Sequence, residues 1–302
     1  MAERDVRPRL RGGERQRSGP RMQSEGAGCK SDTALEVHLE HPEPGIALLR
    51  LCRPRPLNAL TDNMVAAIGR LLDTVHADPQ VRVLIITGEG RGFCAGFDLS
   101  LAAEAPHSAE FGETSAWMLR QEAFAGLVTR LRALRQPVIA AVNGPANGAG
   151  LGLALAAEIR IAERSASFNA AFVKVGMSSC DIGVSWLLPR CVGLSRAFEV
   201  MLTGRLVDAA EAERIGLVST VVDDDQLMPR ALDTARLIVA NSAFGVWMTK
   251  RGTWANAESG SLQAAIELEN RTQILARTTG DLARAAQELL SRRRLAQDEV
   301  PD

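Results

Sequence analysis

The feature that most constrains the fold is a stretch of twenty residues without a charge, from Val138 to Ala157 (VIAAVNGPANGAGLGLALAA). It is long enough to cross a membrane, but two asparagines, a proline and four glycines make it a poor lipid-facing helix. The pattern instead predicts a buried strand at Val138–Val142, a glycine turn at Gly144–Gly150 and a buried helix at Leu151–Ala157. We therefore expect a globular protein without a membrane span.

Short apolar segments alternate with amphipathic segments through the first two-thirds of the chain. Further strands are predicted at Leu35–Leu39, Ile46–Leu51, Val81–Thr87, Ile159–Ala162 and Ala166–Asn169, and helices at Asp62–His76, with Thr61 as N-cap, and at Ser115–Leu134. This alternation indicates an α/β fold with a largely parallel sheet. After about Ala209 the pattern is mostly helical, with candidates at Ala209–Ile215, Leu227–Asn241, Gly245–Ala257, Leu262–Thr278 and Leu282–Leu295.

Composition and charge exclude several other classes of protein. The chain has 35 Lys and Arg against 36 Asp and Glu, and a net charge of −1 argues against a nucleic-acid binder. Seven arginines fall within residues 1–21, where apolar side chains are scarce, so residues 1–31 are predicted to form a disordered basic tail. The five cysteines form no regular framework, which is typical of reduced thiols in a cytoplasmic protein. No acidic or histidine residues have metal-ligand spacing.

Two glycine-rich loops each follow a predicted buried strand. The first is Gly92-Phe93-Cys94-Ala95-Gly96-Phe97-Asp98-Leu99, and the second is Asn143-Gly144-Pro145-Ala146-Asn147-Gly148-Ala149-Gly150, which also opens a helix. Small residues let backbone N–H groups approach a ligand closely, and a helix N-terminus favours negative charge. Two such N–H groups aimed at one point would form an oxyanion hole, and two tight turns without a ligand are the alternative. Neither loop has the spacing of a nucleotide phosphate motif.

Four motifs carry a resemblance to a known family. They are Arg55-Pro56-Leu57-Asn58-Ala59-Leu60, the two glycine loops, and Leu202-Thr203-Gly204-Arg205 followed by Ala209 and Gly216-Leu217-Val218. In this order and spacing they resemble the enoyl-CoA hydratase/isomerase family, or crotonase superfamily, over roughly residues 32–280.

The resemblance implies a fold, an assembly and a substrate. The expected fold is a crotonase-like spiral of ββα units over residues 32–225, followed by a helical C-terminal region over residues 226–302. That region would assemble the chain as a homotrimer or a dimer of trimers. The expected substrate is an acyl-CoA thioester that reacts through an enolate, with no cofactor apart from the coenzyme A carried by the substrate.

The resemblance also assigns roles to individual residues. By position, the backbone N–H groups of Phe97 and Ala149 would form the oxyanion hole. The substrate contacts of the family map to Arg55, Leu57, Ala59, Ala95, Asp98 and Leu99. An aspartate in such a turn also commonly holds the turn through its own side-chain hydrogen bonds, which is the alternative for Asp98.

The two glutamates that add water in this family are missing. Their positions are occupied by Gly152 and Phe172, neither of which can transfer a proton. Glu158 matches a family position that is acidic and structural. Phe172, like Trp117 and Trp186, is expected to line the core or an acyl pocket.

Asp181 is the better acidic candidate. It lies in the segment Val175–Ser185, which resembles a loop that carries a catalytic aspartate in several isomerases of the family, although residue-by-residue alignment puts Cys180 in that position. We expect Asp181 to move a proton between the α and γ carbons of an enoyl-CoA, and a loop aspartate that caps Gly183 or Ser185 is the alternative. Double-bond isomerisation is therefore the preferred activity. Hydration by a divergent site and a non-catalytic acyl-CoA-binding subunit are the other hypotheses.

Overall fold

The computed structural model describes residues 36–298, with side chains up to residue 291. Within these residues, six strands form one sheet in the order β1-β2-β3-β4-β6-β9 and three form a second sheet in the order β5-β7-β8. The strands are β1 Val37–Glu43, β2 Ile46–Leu51, β3 Val83–Gly88, β4 Val138–Val142, β5 Pro145–Asn147, β6 Ile159–Glu163, β7 Ser167–Asn169, β8 Val207–Asp208 and β9 Thr220–Val222. The predicted tail over residues 1–31 lies outside the described residues.

The larger sheet is parallel from β2 to β9, and only the hairpin partner β1 runs antiparallel. Parallel pairing requires crossover connections, and helices provide them between successive strands. The helices are α1 Asp62–Ala77, α2 Ser108–Phe111, α3 Glu113–Ala133, α4 Ala149–Ala156, α5 Val184–Val192, α6 Leu194–Thr203, α7 Ala209–Arg214, α8 Leu227–Val239, α9 Ala243–Ala257, α10 Leu262–Arg277 and α11 Asp281–Asp298. The prediction of an α/β fold with a largely parallel sheet is confirmed.

Both faces of the large sheet are buried, which explains its continuous apolar strands. Successive side chains of a strand point to opposite faces. In β2, Leu49 and Leu51 join the core that contains α1, α3 and α4, whereas Ile46 and Leu48 pack with residues of α8. Helix α1 begins as predicted, because Thr61 Oγ1 accepts a hydrogen bond from the Met64 N–H at 3.1 Å.

The C-terminal helices leave large apolar side chains exposed. Helix α10 packs between α9 and α11 and has no buried residue. The exposed apolar side chains on α10 and α11 are Leu262, Ile266, Leu268, Ile274, Leu275, Leu282, Leu289 and Leu290. A second exposed apolar row lies on α6, at Leu194, Phe198 and Leu202. Across residues 36–298, no helix is both long and apolar enough to span a membrane.

Candidate active site

A cavity of about 540 Å³ lies beside the two glycine loops. Because β3 and β4 are parallel neighbours, their carboxyl ends share one edge of the sheet, and the loop after each strand begins there. The cavity is lined by Phe97, Leu99, Ala102, Trp117, Arg120, Gln121, Phe124, Ala149, Phe172, Val175, Met177, Asp181 and Ile182. It therefore brings together six residues to which the sequence assigned a role: Phe97, Leu99, Trp117, Ala149, Phe172 and Asp181.

The two glycine loops are held against each other by backbone hydrogen bonds. The N–H groups of Phe93 and Cys94 donate to the Pro145 carbonyl, and the Asn147 N–H donates to the Cys94 carbonyl at 2.9 Å. A Cβ at Gly150 would lie 2.1 Å from the Cys94 carbonyl oxygen, so only glycine allows the two backbones to approach this closely. The glycines are thus required by the packing of the loops.

The backbone segments that carry Phe97 and Ala149 lie next to each other at this contact. A Cβ built on Gly96, which has φ +94°, would come within 3.3 Å of the Ala149 nitrogen. Ala149 is the first residue of α4, so its N–H has no partner within the helix. Among the hydrogen bonds of the described residues, neither the Phe97 N–H nor the Ala149 N–H has a protein acceptor. Two free backbone donors therefore line one cavity.

Two asparagines that the sequence did not single out fix the first loop. Asn58 is completely buried, its Oδ1 accepts from the Arg53 N–H at 2.8 Å, and its Nδ2 donates to the Gly92 carbonyl at 2.7 Å. Asn143 Oδ1 accepts from the Gly88 N–H, and its Nδ2 donates to the Gly90 carbonyl. A polar side chain within an apolar motif was the available signal, because burial requires such a group to be hydrogen-bonded.

The residues expected to contact coenzyme A lie together beside the cavity. The Ala95 N–H donates to the Leu57 carbonyl at 2.9 Å, which joins the Arg55–Leu60 motif to the first glycine loop. Ala59 is buried, Leu99 is exposed, and Arg55 is exposed with no ion pair to any described residue. Of this set, only Leu99 also lines the cavity.

The carboxylate of Asp98 is engaged within the protein. Oδ1 accepts from the N–H and hydroxyl of Ser100, and Oδ2 accepts from the Arg53 guanidinium at 3.0 Å. The Ser100 hydrogen bonds and the Arg53 cation lower the pKa of Asp98, since both favour the ionised form. These contacts match the turn-holding alternative considered for Asp98.

Asp181, and not Cys180, lines the cavity. Its Oδ1 accepts a hydrogen bond from the Gln121 side-chain amide, which lines the same wall. Cys180 is exposed and does not line the cavity. Cys94 is fully buried, and burial raises the pKa of its thiol to about 12, so it is not a nucleophile near neutral pH.

The position of the first missing glutamate is closed by a neighbour of Asp181. A Cβ at Gly152 would lie 2.6 Å from Ile182 Cγ2. Ile182 is buried and has φ +41°, which a β-branched residue rarely adopts. The second glutamate position, Phe172, places its ring in the cavity wall near Gly148. Neither position offers a proton donor or acceptor.

Glu158 lies outside the cavity and ties elements together. Its Oε2 accepts from the Val138 N–H at 2.8 Å and pairs with Lys250, and its Oε1 accepts from the Trp254 indole. Lys250 also donates to two carbonyls, and burial lowers the pKa of its ammonium. Trp186 likewise packs outside the cavity, against Trp254. The described residues contain no group of His, Cys, Asp or Glu placed to hold a metal ion.

Comparison with known proteins decides the family. Residues 41–294 match the family model described as enoyl-CoA hydratase/isomerase. The chain belongs to this family.

Individual relatives carry the names of different activities. "Probable enoyl-CoA hydratase EchA12" of Mycobacterium tuberculosis is 43% identical over 251 residues, 83% of this chain and 88% of the relative. The 1,2-epoxyphenylacetyl-CoA isomerase of Escherichia coli is 38% identical over 261 residues, 86% and 97% of the two chains. A monofunctional enoyl-CoA isomerase structure from M. smegmatis aligns with a TM-score of 0.66 at 42% identity, covering 76% of this chain and 98% of that one. The crotonase-like fold expected from the sequence is confirmed.

Proposed function

We propose that the protein isomerises the double bond of an enoyl-CoA through a thioester enolate, with Asp181 as the acid and base. The supporting observation is that two free backbone N–H groups and one carboxylate line the same cavity. Phe97 and Ala149 would donate to the thioester oxygen as negative charge develops on it. A donor of this kind typically contributes about 3–4 kcal/mol of transition-state stabilisation.

The proton moves in two steps that balance. The Asp181 carboxylate removes a proton from the α-carbon of a 3-enoyl-CoA, and the C–H electron pair shifts toward the thioester carbonyl to form a dienolate. The protonated Asp181 then returns the proton to the γ-carbon. The electrons re-form the carbonyl and leave the double bond between the α and β carbons. One carboxylate is sufficient because the same group accepts and returns the proton.

Gln121 would position this carboxylate. Its amide N–H donates to Oδ1 of Asp181, which leaves Oδ2 for the substrate proton. The coenzyme A part of the substrate would lie along Arg55, Leu57, Ala59, Ala95 and Asp98. Backbone groups line this region, and the Arg55 guanidinium has no ion pair to any described residue. This proton transfer uses no cofactor apart from the coenzyme A carried by the substrate.

Hydration by a divergent site is the second candidate, because relatives of this chain carry the name hydratase. Water addition needs a base for water and an acid for the α-carbon. Gly152 and Phe172 provide neither, and Asp181 is the only carboxylate among the cavity-lining residues of the described chain. This composition favours isomerisation.

The test is mass spectrometry after incubation with 2-enoyl-CoA and 3-enoyl-CoA in heavy water. We expect deuterium uptake and a moved double bond without a gain of water. A product heavier by one water would show hydration and refute isomerisation. Bound but unchanged thioester would instead favour a non-catalytic acyl-CoA-binding subunit.

We also propose that the chain assembles with copies of itself, as a trimer or a dimer of trimers. The exposed apolar side chains of α6, α10 and α11 support this, because monomers rarely leave such patches uncovered. Light scattering after size-exclusion chromatography tests it, and a monomeric mass would overturn it. The cytoplasmic location and the division of the chain near residue 225 stay predictions.

A further inference from the structure

Four aromatic rings from separate parts of the chain line the cavity. Phe97 comes from the first glycine loop, Trp117 and Phe124 from α3, and Phe172 from the short helical segment after β7. Trp117 and Phe124 are seven residues apart, which places them on one helix face. The rings of Phe97 and Phe124 meet edge to face, with centroids 5.5 Å apart.

Arg120 fixes two of these rings. Its guanidinium carbon lies 4.8 Å from the Phe97 ring centroid and 5.2 Å from that of Trp117. All three of its nitrogens are already engaged, two with the Asp62 carboxylate and the third with the carbonyls of Leu101 and Glu104. Four of its five N–H donors are thus used within the protein, which holds the guanidinium against the two rings.

The rest of the cavity wall is also apolar. Leu99, Ala102, Val175, Met177 and Ile182 complete it, and the remaining polar side chains, Gln121 and Asp181, bind each other. Apart from these side chains and Arg120, the lining residues present apolar surface to the acyl group. They provide preformed aromatic faces and edges at fixed positions, in a cavity large enough for a ring.

We propose that the preferred substrates carry an aryl ring at the end of the acyl chain. This rests on the proposed acyl-CoA function of the same cavity and names its substrate class. A flat ring can stack on and abut fixed aromatic neighbours, and it loses little conformational freedom on binding. A flexible alkyl chain of equal carbon number has more apolar surface and more rotatable bonds to order. A cavity that selected for apolar surface alone would therefore favour the alkyl chain, whereas a cavity lined by aromatic rings favours the aryl ring.

The experiment compares 5-phenyl-3-pentenoyl-CoA with 3-undecenoyl-CoA, whose acyl groups have equal numbers of carbons. The phenyl ring is not conjugated with the reacting double bond, so both substrates undergo the same chemistry. We expect kcat/KM to be about tenfold higher for the phenyl substrate. Equal values, or a preference for the alkyl substrate, would overturn the aryl assignment and leave the isomerase proposal intact.

Binding separates the two proposals if neither substrate reacts. The saturated analogues 5-phenylpentanoyl-CoA and undecanoyl-CoA are then compared by calorimetry. Tighter binding of the phenyl analogue would support the aryl site while refuting isomerisation, and equal or weaker binding would refute both.

Two tryptophan variants locate the preference. Trp117 is half-buried in the cavity wall, and we expect Trp117→Leu to reduce the phenyl preference to about threefold or less. Trp247 is also half-buried but lies on α9, outside the cavity. Trp247→Leu should leave the preference unchanged. An equal loss in both variants, or no loss in Trp117→Leu, would contradict the assignment of the ring to this wall.

Discussion

A methyl group added at Gly152 would lie 2.6 Å from Ile182 Cγ2 and 3.1 Å from the Ile182 carbonyl oxygen. Both distances are well inside ordinary van der Waals contact. Alanine in a helix gains about 1 kcal/mol over glycine, whereas overpacking a core costs about 1–3 kcal/mol. Because the clash is severe, the cost should dominate, and we expect Gly152→Ala to lower the free energy of unfolding by about 1–2 kcal/mol.

The same substitution should impair catalysis. Ile182 follows Asp181 directly and holds a left-handed backbone conformation, so displacing its side chain would move the carboxylate in the cavity. A displacement of about 1 Å at a reacting group can cost about a hundredfold in rate. We therefore expect kcat for isomerisation to fall at least tenfold, with a smaller change in KM.

Equilibrium urea denaturation at fixed protein concentration measures the stability change, and Gly126→Ala is its control. Gly126 lies within α3 with nothing within 4 Å of an added Cβ, so that variant should be neutral or up to about 1 kcal/mol more stable. The double variant Gly152→Ala/Ile182→Ala should lose at least about 1 kcal/mol less than the sum of its single variants. Additive losses, or a Gly152→Ala variant as stable as the control, would refute the role given to Ile182.

Three further predictions concern ionisable side chains. Hydrogen bonds lower the pKa of Asp98, so its carboxylate stabilises the fold at pH values above the ordinary pKa of 3.8. This contribution disappears as pH falls through the lower pKa of the folded state. Asp98→Asn should therefore lose less stability in acid, as curves of unfolding free energy against pH would show. Lys250→Met leaves the half-buried Glu158 carboxylate without its cation and should lower the unfolding free energy by about 3 kcal/mol in urea titrations. Iodoacetamide at pH 8 should label exposed Cys180 in the folded protein and spare Cys94, as peptide mass mapping would show.

The parallel core was predictable because its sequence signals are local. Buried strands appear as short β-branched runs, and the glycine turns that follow them need glycine for close backbone approach. The predicted strand Val138–Val142 and helix Asp62–His76 agree with the structure to within one residue. Helices α5 and α6 were not predicted, because Pro189 lies inside α5 and Gly193 separates the two, and both residues usually indicate breaks.

The sequence indicated the backbone part of the candidate site more directly than its side-chain contacts. Any residue except proline supplies an N–H, so the glycine loops indicated where backbone donors could meet, and the family resemblance assigned them to Phe97 and Ala149. The choice between Cys180 and Asp181 depended on the backbone at Ile182, whose positive φ has no sequence signal in an isoleucine. The contact of Gln121 with Asp181 is equally invisible in the sequence, because it joins an exposed residue of α3 to a loop residue sixty positions later.

Transfer of deuterium from heavy water to the α and γ carbons of a 3-enoyl-CoA tests the central claim most directly, when wild type, Asp181→Asn and Cys180→Ser are compared. The account predicts that Asp181→Asn loses exchange and isomerisation by about a hundredfold or more, while a saturated acyl-CoA binds all three proteins equally. Cys180→Ser should exchange at the wild-type rate. Wild-type exchange in Asp181→Asn, or loss of exchange in Cys180→Ser, would contradict the assignment of proton transfer to Asp181.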